Sequence, residues 1–342
     1  MNALARPADV RPDTLPLQTL QLTPREQAEG VMSAEHRELA AAILAFRGYV
    51  ILKDALRPEF VERLRAEVAE IYADCRSTLD AVETDGSPDA VRHTYVSGRK
   101  GATFWFRKSR WRIFPRLTGI MGSPELLANA FVMPVLEQLL GPGFYCKYVS
   151  SDTCVKGAML QSPHSDIDQD RVIHQGQWRP RGFIVNVPIA ECGLHNGPTE
   201  VWPGGSHMWS SGLFERFGLA PYVQDGRNPP VERLAEYFPS VKVTLQPGEI
   251  LVRDLSMWHR GTPSGSEQPR TLLTTAYFRA GYEYFYGDAS YNLDPQLYRE
   301  LDPRVRGLFQ HHFSLAHALR LARHRVSSAV GRRAKALFTR GS

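Results

Sequence analysis

"VKVTLQPGEILVRD", residues 241–254, contains two short apolar runs on either side of a Pro-Gly pair. Val241, Val243 and Leu245 alternate with polar neighbours, which is the period of a β-strand with one buried face. The Pro-Gly pair marks a turn, after which Ile250 and Val252 begin a second apolar run. The stretch therefore predicts two short strands, the repeating unit of a mainly β fold.

Further segments after Gly143 have the same texture: they are short, rich in β-branched and aromatic residues, and separated by Gly, Pro, Asn and Ser turns. They are "FYCKYVSSDTCVKG" (144–157), "GFIVNVPIA" (182–190), "TEVWP" (199–203) and "TLLTTAYFR" (271–279). Many short strands without intervening helices predict an antiparallel sandwich or jelly roll. We expect this core over residues 144–282.

The chain before this core has a helical pattern. Ser33 is placed to cap an amphipathic helix that ends at Gly48, a short strand follows, and Pro58 opens a second helix. "SPELLANAFVMPVLEQLLG" (123–141) predicts one further helix. The expected architecture is mainly β with α, a cupin-like jelly roll flanked by N-terminal helices and a C-terminal helix.

The predicted domain boundaries follow from these patterns. Residues 1–32 are expected to be a flexible arm, and residues 33–290 a single domain with a helical part over 33–143. Residues 291–342 are expected to form a basic helical tail, because nine basic residues and no acidic one follow Asp302.

Composition favours a soluble globular protein, with 342 residues, 43% hydrophobic and 23% charged. The four cysteines form no C-x-x-C pair, which argues against a zinc ribbon or redox dithiol and favours buried thiols. The N-terminus has no apolar run of the kind found in signal peptides or membrane helices. We therefore expect a cytoplasmic location without a transmembrane segment.

"QSPHSDIDQD", residues 161–170, suggests a metal site of one of two kinds. A calcium loop of the EF-hand type needs glycine at position 6 and glutamate at position 12. Counted from Asp166, these positions hold Arg171 and Gln177, so a calcium loop is disfavoured. On a strand, side chains two residues apart share a face, so His164 and Asp166 can point at one transition metal.

A third ligand must come from elsewhere in the chain, and His259 in "DLSMWHRGTPSGSEQPRTLLTTAYF" (254–278) is the best candidate. Two histidines and one carboxylate are the ligands of non-haem Fe(II) oxygenases. A zinc-dependent hydrolase or isomerase of the cupin type stays open, although it would have no use for Arg270. That arginine begins the next strand and is suited to bind a carboxylate through two hydrogen bonds.

Taken together, several motifs resemble the phytanoyl-CoA dioxygenase family of Fe(II)/2-oxoglutarate-dependent oxygenases. They are "AFRGYVILKDALRPEFVERLRAEV" (45–68), "PHSDID" (163–168), "NGPTEVWPGGSH" (196–207), "LQPGEILVRD" (245–254) and "MWHRGTPSGSEQPRTLLTTAYF" (257–278). The resemblance spans roughly residues 40–280, in the family's order.

The resemblance implies a double-stranded β-helix whose His164, Asp166 and His259 are the metal ligands and the catalytic centre. It also implies that Arg270 binds 2-oxoglutarate, with Thr262 and Ser264 placed to supply a hydroxyl to the same carboxylate. The implied cofactors are Fe(II), 2-oxoglutarate as cosubstrate, and O2.

The implied reaction is hydroxylation of an unactivated C–H bond of a small molecule, with release of succinate and CO2. Desaturation, cyclisation or epimerisation at the same site is the alternative within enzymes. A non-catalytic jelly-roll binding protein is the alternative from another class. The substrate and the oligomeric state do not follow from the sequence.

Two basic segments have less specific interpretations. "RKGATFWFRKSRWRIFPR" (99–116) predicts a strand or lid with solvated arginines, or a site for an anionic or carrier-linked substrate, with Arg107 and Lys108 as first candidates. Nucleic acid is not expected as a partner. Asp168 and Asp170 are expected in a loop after the metal strand rather than as ligands.

Overall fold

The computed structural model describes residues 17–81, 96–98, 100–107, 109–167, 173–174, 177–208, 235–282 and 289–314. Five helices precede or interrupt the early strands: α1 (Pro24–Glu29), α2 (Ala34–Arg47), α3 (Pro58–Ala81), α4 (Pro124–Leu127) and α5 (Met133–Leu140). Two more, α6 (Pro295–Glu300) and α7 (Pro303–Phe309), follow the last strand.

The strands run in chain order from β1 to β14. They are β1 (Thr19–Gln21), β2 (Tyr49–Lys53), β3 (Val96–Ser97), β4 (Thr103–Arg107), β5 (Arg110–Phe114), β6 (Tyr145–Cys154), β7 (Ile173–His174), β8 (Gln177–Trp178), β9 (Gly182–Pro188), β10 (Thr199–Val201), β11 (Val241–Val243), β12 (Ile250–Asp254), β13 (His259–Gly261) and β14 (Arg270–Phe278).

Within the described residues, two sheets build the jelly roll. The larger has nine strands in the order β1-β2-β12-β9-β14-β6-β5-β4-β3, and the smaller has the order β11-β10-β13. Alternation along each strand sorts the side chains into two layers. Val185 and Leu273 lie in the apolar core shared with the helices, whereas Leu251 and Leu272 pack against Val243 of the smaller sheet. The predicted fold class is confirmed.

Residues 17–32 do not form the flexible arm predicted for 1–32. β1 pairs in parallel with β2, and Leu22 after it is 1% exposed. α1 begins with a capping box in which Thr23 and Glu26 satisfy each other's backbone N–H groups. Buried apolar residues and a capped helix fix this segment to the sheet. Residues 1–16 lie outside the described residues.

The part of the chain over 33–143 is also less helical than predicted, because β3, β4 and β5 extend the large sheet. Trp111 and Ile113 of β5 enter the apolar core, while Arg110 and Arg112 alternate onto the opposite face. The basic and aromatic pattern of residues 99–116 is therefore that of a strand pair.

The single helix predicted over 123–141 is interrupted between α4 and α5. The Asn129 side chain accepts hydrogen bonds from the backbone N–H groups of Phe131 and Val132, 3.0 and 3.3 Å away. Pro134 has no N–H to donate to the preceding turn. A competing side-chain acceptor and a missing donor together restart the helix.

The described part of the predicted tail packs on the domain. α6 and α7 lie within residues 291–314, Val305 and Phe309 of α7 are fully buried, and His312 Nε2 lies 2.8 Å from the Cys146 carbonyl oxygen. The domain therefore extends at least to residue 314. Most of the basic residues of the tail lie beyond the described residues.

All four cysteines are buried thiols without a disulfide, as expected. Among the described helices, none combines the length and the apolar composition that crossing a bilayer requires.

Candidate metal centre

His164 and His259 face each other across a two-residue antiparallel bridge. Each backbone N–H donates to the other residue's carbonyl, both at 2.9 Å, and the imidazole centroids are 4.4 Å apart. His259 begins β13, but His164 lies on this isolated bridge and not on the regular strand that the sequence predicted. One hydrogen-bonded pair is nevertheless enough to bring both rings to the same side.

Both imidazoles are oriented by a carbonyl two residues earlier in the chain. Nδ1 of His164 lies 2.9 Å from the Ser162 oxygen, and Nδ1 of His259 lies 3.0 Å from the Met257 oxygen. A protonated Nδ1 donates to a carbonyl, so the neutral tautomer leaves Nε2 as a ligand. The rings are thus arranged as metal-binding histidines usually are.

Asp166 completes the cluster. Its Oδ1 lies 3.4 Å from His259 Nε2, and its Oδ2 accepts a 2.7 Å hydrogen bond from Arg253 Nη2. One ligand atom from each of His164, Asp166 and His259 lies within 4.8 Å of the other two. Two imidazole nitrogens and one carboxylate oxygen suit a divalent first-row metal, and Fe(II) is among those such donors bind.

The protonation states of this cluster also favour metal binding. Burial, reinforced by Arg253, lowers the pKa of His259 to about 4. Burial alone would raise the pKa of Asp166, but His259 and Arg253 hold it well below its ordinary value. The neutral imidazole and the ionised carboxylate are the forms that coordinate metals.

Arg270 lies at the head of β14 and is 1% exposed. Nη1 donates to the Asp152 carbonyl at 3.2 Å, Nη2 donates to the Gly197 carbonyl, and Nε has no hydrogen-bond partner among the described residues. Burial lowers the pKa of this guanidinium, but Asp152 together with the thiols of Cys192 and Cys154 outweighs that effect and raises it. A charged and incompletely bonded guanidinium is thus held inside the fold.

The two hydroxyls singled out from the sequence differ in this structure. Thr262 Oγ1 donates to the Pro198 carbonyl at 2.6 Å, so its proton is already used. Ser264 Oγ is buried and has no hydrogen-bond partner among the described residues. Its backbone pairs with Asn196, next to Gly197, the glycine that accepts from Arg270. Of the two, Ser264 retains an unused donor near the arginine.

Two further arginines lie on the inner face of the large sheet, and sequence reasoning did not single them out. Arg110 and Arg270 pair with Cys154 from opposite sides, and Arg112 pairs with Asp152. Arg110 is 6% exposed and donates to the Thr262 carbonyl at 2.8 Å, while its Nη1 has no partner among the described residues. Alternation of Arg110 and Arg112 in the sequence was the available signal.

Arg253 was also missed. It lies in strand β12 after three apolar residues, Ile250 to Val252, and directly before Asp254. A buried charge in such a strand needs a partner, and this was the signal that could have identified it.

Several other polar and aromatic side chains of the described residues are held in structural contacts. The Asn186 side chain donates to Thr274 Oγ1 at 2.8 Å, Trp202 Nε1 donates to the Ala235 carbonyl, and Trp258 is buried at 1% exposure. His207, fully buried, contacts the Ala45 carbonyl, and burial lowers its pKa to about 4. Asp168, Asp170, Lys108 and the Arg107 side chain lie outside the described part of the chain.

Comparisons with known proteins give one family and several relatives. The profile of the phytanoyl-CoA dioxygenase family (PhyH) matches residues 46–272, well over half of the chain. The dioxygenase andF of Emericella variicolor is 23% identical over 189 residues, which cover 53% of this chain and 58% of that protein. The chain thus aligns with little more than half of this relative's length.

Crystal structures of EctD from S. alaskensis share the fold. The apo form is 22% identical with a TM-score of 0.50, covering 82% of this chain and 90% of that chain. The form with bound Fe is 21% identical with a TM-score of 0.50, covering 84% and 88%.

Proposed function

Because the chain belongs to the phytanoyl-CoA dioxygenase family, we propose that it is an Fe(II)/2-oxoglutarate-dependent dioxygenase that hydroxylates an unactivated C–H bond of a small molecule. The observation that carries the proposal is the convergence of His164, Asp166 and His259 on one point, with both histidine Nδ1 atoms tied to carbonyls. EctD, which shares the fold, has been crystallised with bound Fe.

The roles of the residues follow from their contacts. His164, Asp166 and His259 would hold Fe(II), which when bound supplies O2 activation coupled to decarboxylation of 2-oxoglutarate to succinate and CO2. Arg270 would bind the far carboxylate of 2-oxoglutarate, because its guanidinium is buried, charged and has an unpaired Nε. The unpaired Ser264 hydroxyl would donate to the same carboxylate. Thr262 is less suited to donate to this carboxylate, since its hydroxyl proton is already donated to Pro198.

Charge on the inner face supports an anionic small substrate or one linked to an anionic carrier. Four arginines and two carboxylates lie on this face: Arg110, Arg112, Arg253 and Arg270 with Asp152 and Asp166. Burial alone would raise the pKa of Asp152, but Arg270 and the two other nearby arginines hold it below its ordinary value. A bound divalent metal ion would add two positive charges, and dianionic 2-oxoglutarate would cancel those two alone. The excess of arginines over carboxylates would remain. A carboxylate or phosphate on the substrate would balance the remaining charge.

The test measures turnover of 2-oxoglutarate by the purified protein, without and with a candidate substrate. We expect Fe(II)-dependent formation of succinate from 2-oxoglutarate, stimulated by a suitable carboxylated or phosphorylated substrate. The product should contain one added oxygen atom, whereas loss of two hydrogens or inversion of a centre would indicate desaturation, cyclisation or epimerisation instead. His207→Gln is the matched control, because this buried histidine lies outside the cluster. Turnover lost equally in His164→Gln and His207→Gln would contradict the assignment.

A further inference from the structure

We propose that Arg253 is a positioning residue that orients the Asp166 carboxylate toward the metal and packs against the His259 ring. The inference rests on the proposed function, since it concerns the same metal centre. It identifies a residue that contacts two of the three ligands and is not itself a ligand.

The guanidinium of Arg253 is buried against both side chains and is bonded to one of them. The residue is 4% exposed, and Nη2 donates to Asp166 Oδ2 at 2.7 Å. Nη1 lies 3.1 Å from His259 Nδ1 and 3.2 Å from the Asp254 carbonyl. One arm of the planar guanidinium thus holds the Asp166 carboxylate by a hydrogen bond, while the other arm is anchored on the Asp254 carbonyl and packs against the His259 ring.

The contact selects one oxygen of the carboxylate. Because Oδ2 is engaged by Arg253, Oδ1 is the oxygen that faces His259 Nε2, 3.4 Å away. Without the guanidinium, the carboxylate of Asp166 would rotate about its side-chain bonds. Metal binding would then have to order the carboxylate, at a cost in conformational entropy.

The contact with His259 is compatible with metal binding when Nδ1 carries the proton. Nδ1 then donates to the Met257 carbonyl at 3.0 Å, and Arg253 Nη1 donates to the Asp254 carbonyl. In this arrangement the ring is confined between a carbonyl and a guanidinium, and Nε2 is directed toward Asp166.

A rival role makes the opposite prediction for metal affinity. If Arg253 served only to neutralise Asp166 in the metal-free protein, it would repel and compete with a divalent cation. Removing it would then leave metal affinity unchanged or increase it. A positioning role requires that affinity fall.

The experiment measures Ni(II) affinity by titration, since Ni(II) binds such donors more tightly than Fe(II). The proteins compared are the wild type, Arg253→Met, Arg253→Lys and a control, Arg279→Gln. The control loses part-buried hydrogen bonds to the Pro180 and Leu139 carbonyls, just past the end of β14 opposite Arg270. We expect Arg253→Met to lose about 10- to 100-fold in affinity, Arg253→Lys to recover part of it, and Arg279→Gln to match wild type. Unchanged or tighter binding in Arg253→Met would overturn the proposal.

Coupling to the carboxylate separates positioning from general damage. In the Asp166→Ala background, Arg253→Met should cause little further loss of Ni(II) affinity, because the group on which it acts is gone. A further loss as large as in the wild-type background would refute action through Asp166. If Arg253→Met does not fold, Arg253→Lys decides, since it keeps the charge but only one donor position, and wild-type affinity would then count against the proposal. Failure of the wild type to bind Ni(II) would instead count against the proposed function.

Discussion

Gly261 occupies a place where the structure leaves no room for a side chain, and its replacement gives a sharp prediction. A Cβ there would lie 2.6 Å from both Cζ and Nη2 of Arg110 and 2.7 Å from Gln161 Oε1. Arg110 cannot move away freely, because it is buried and donates to the Thr262 carbonyl at 2.8 Å. Gly261→Ala must therefore displace strand β13 or break this charged hydrogen bond.

The cost follows from these two possibilities. Overpacking by one methyl group costs about 1 to 3 kcal/mol, and loss of a hydrogen bond from a charged donor adds about 1.5 to 3 kcal/mol. When both costs apply, we expect Gly261→Ala to lower the free energy of unfolding by about 2.5 to 6 kcal/mol, which for a chain of this length corresponds to a fall in Tm of at least about 3 °C. Metal affinity should fall as well, because His259 lies two residues earlier on the same strand.

Thermal unfolding followed by circular dichroism measures the effect, with Gly307→Ala as the matched control. Gly307 lies in α7, and no atom lies within 4 Å of a Cβ added there. Alanine should stabilise that helix by up to about 1 kcal/mol. If Gly261→Ala unfolds within about 1 °C of wild type, the cost is below about 1 kcal/mol, and the packing of Arg110 on β13 is wrong.

Three more predictions test other parts of the structure. Arg270→Met should weaken 2-oxoglutarate binding by about 30-fold or more, since an unpaired buried carboxylate costs at least about 2 kcal/mol. Binding of the metal alone, measured by titration, should persist. Loss of metal binding with unchanged 2-oxoglutarate binding would refute the role of Arg270. Burial raises the pKa of Asp254 from 3.8 to about 7, so the folded state retains a proton that the unfolded state releases between these values, and stability is lost as pH rises through that window. Urea unfolding at pH 5 and pH 8 should therefore show Asp254→Asn gaining stability relative to wild type at the higher pH, and a pH-independent difference would contradict this. Phe309→Ala should cost about 3 to 5 kcal/mol in urea unfolding, whereas a solvated tail would show almost no change.

The sequence grouped the three candidate ligands, which the structure brings together, more securely than it placed the elements that carry them. His164 and Asp166 were grouped by the period of a strand, yet only the bridge at His164 is formed. The inference works because a single hydrogen-bonded pair and a short turn suffice to direct the two side chains. Assignment of the ligand and cosubstrate residues remains a prediction, while membership of the phytanoyl-CoA dioxygenase family is confirmed.

What the sequence could not provide depends on contacts between distant segments. Arg253 lies 87 positions from Asp166 and Arg110 lies 152 positions from Thr262, so neither contact has a local pattern. The same holds for the segment over 17–32, whose order comes from β1 pairing with β2. Short apolar stretches with Pro and charged neighbours resemble solvated chain until a partner strand is known.

The central claim is that His164, Asp166 and His259 hold Fe(II) in a site that also takes 2-oxoglutarate. The most direct test adds Fe(II) without oxygen to metal-free protein, then 2-oxoglutarate, and records the visible spectrum. We predict a charge-transfer band that requires both additions, is abolished in Asp166→Ala and persists in His207→Gln. Absence of the band in the wild type, or an undiminished band in Asp166→Ala, would contradict the claim.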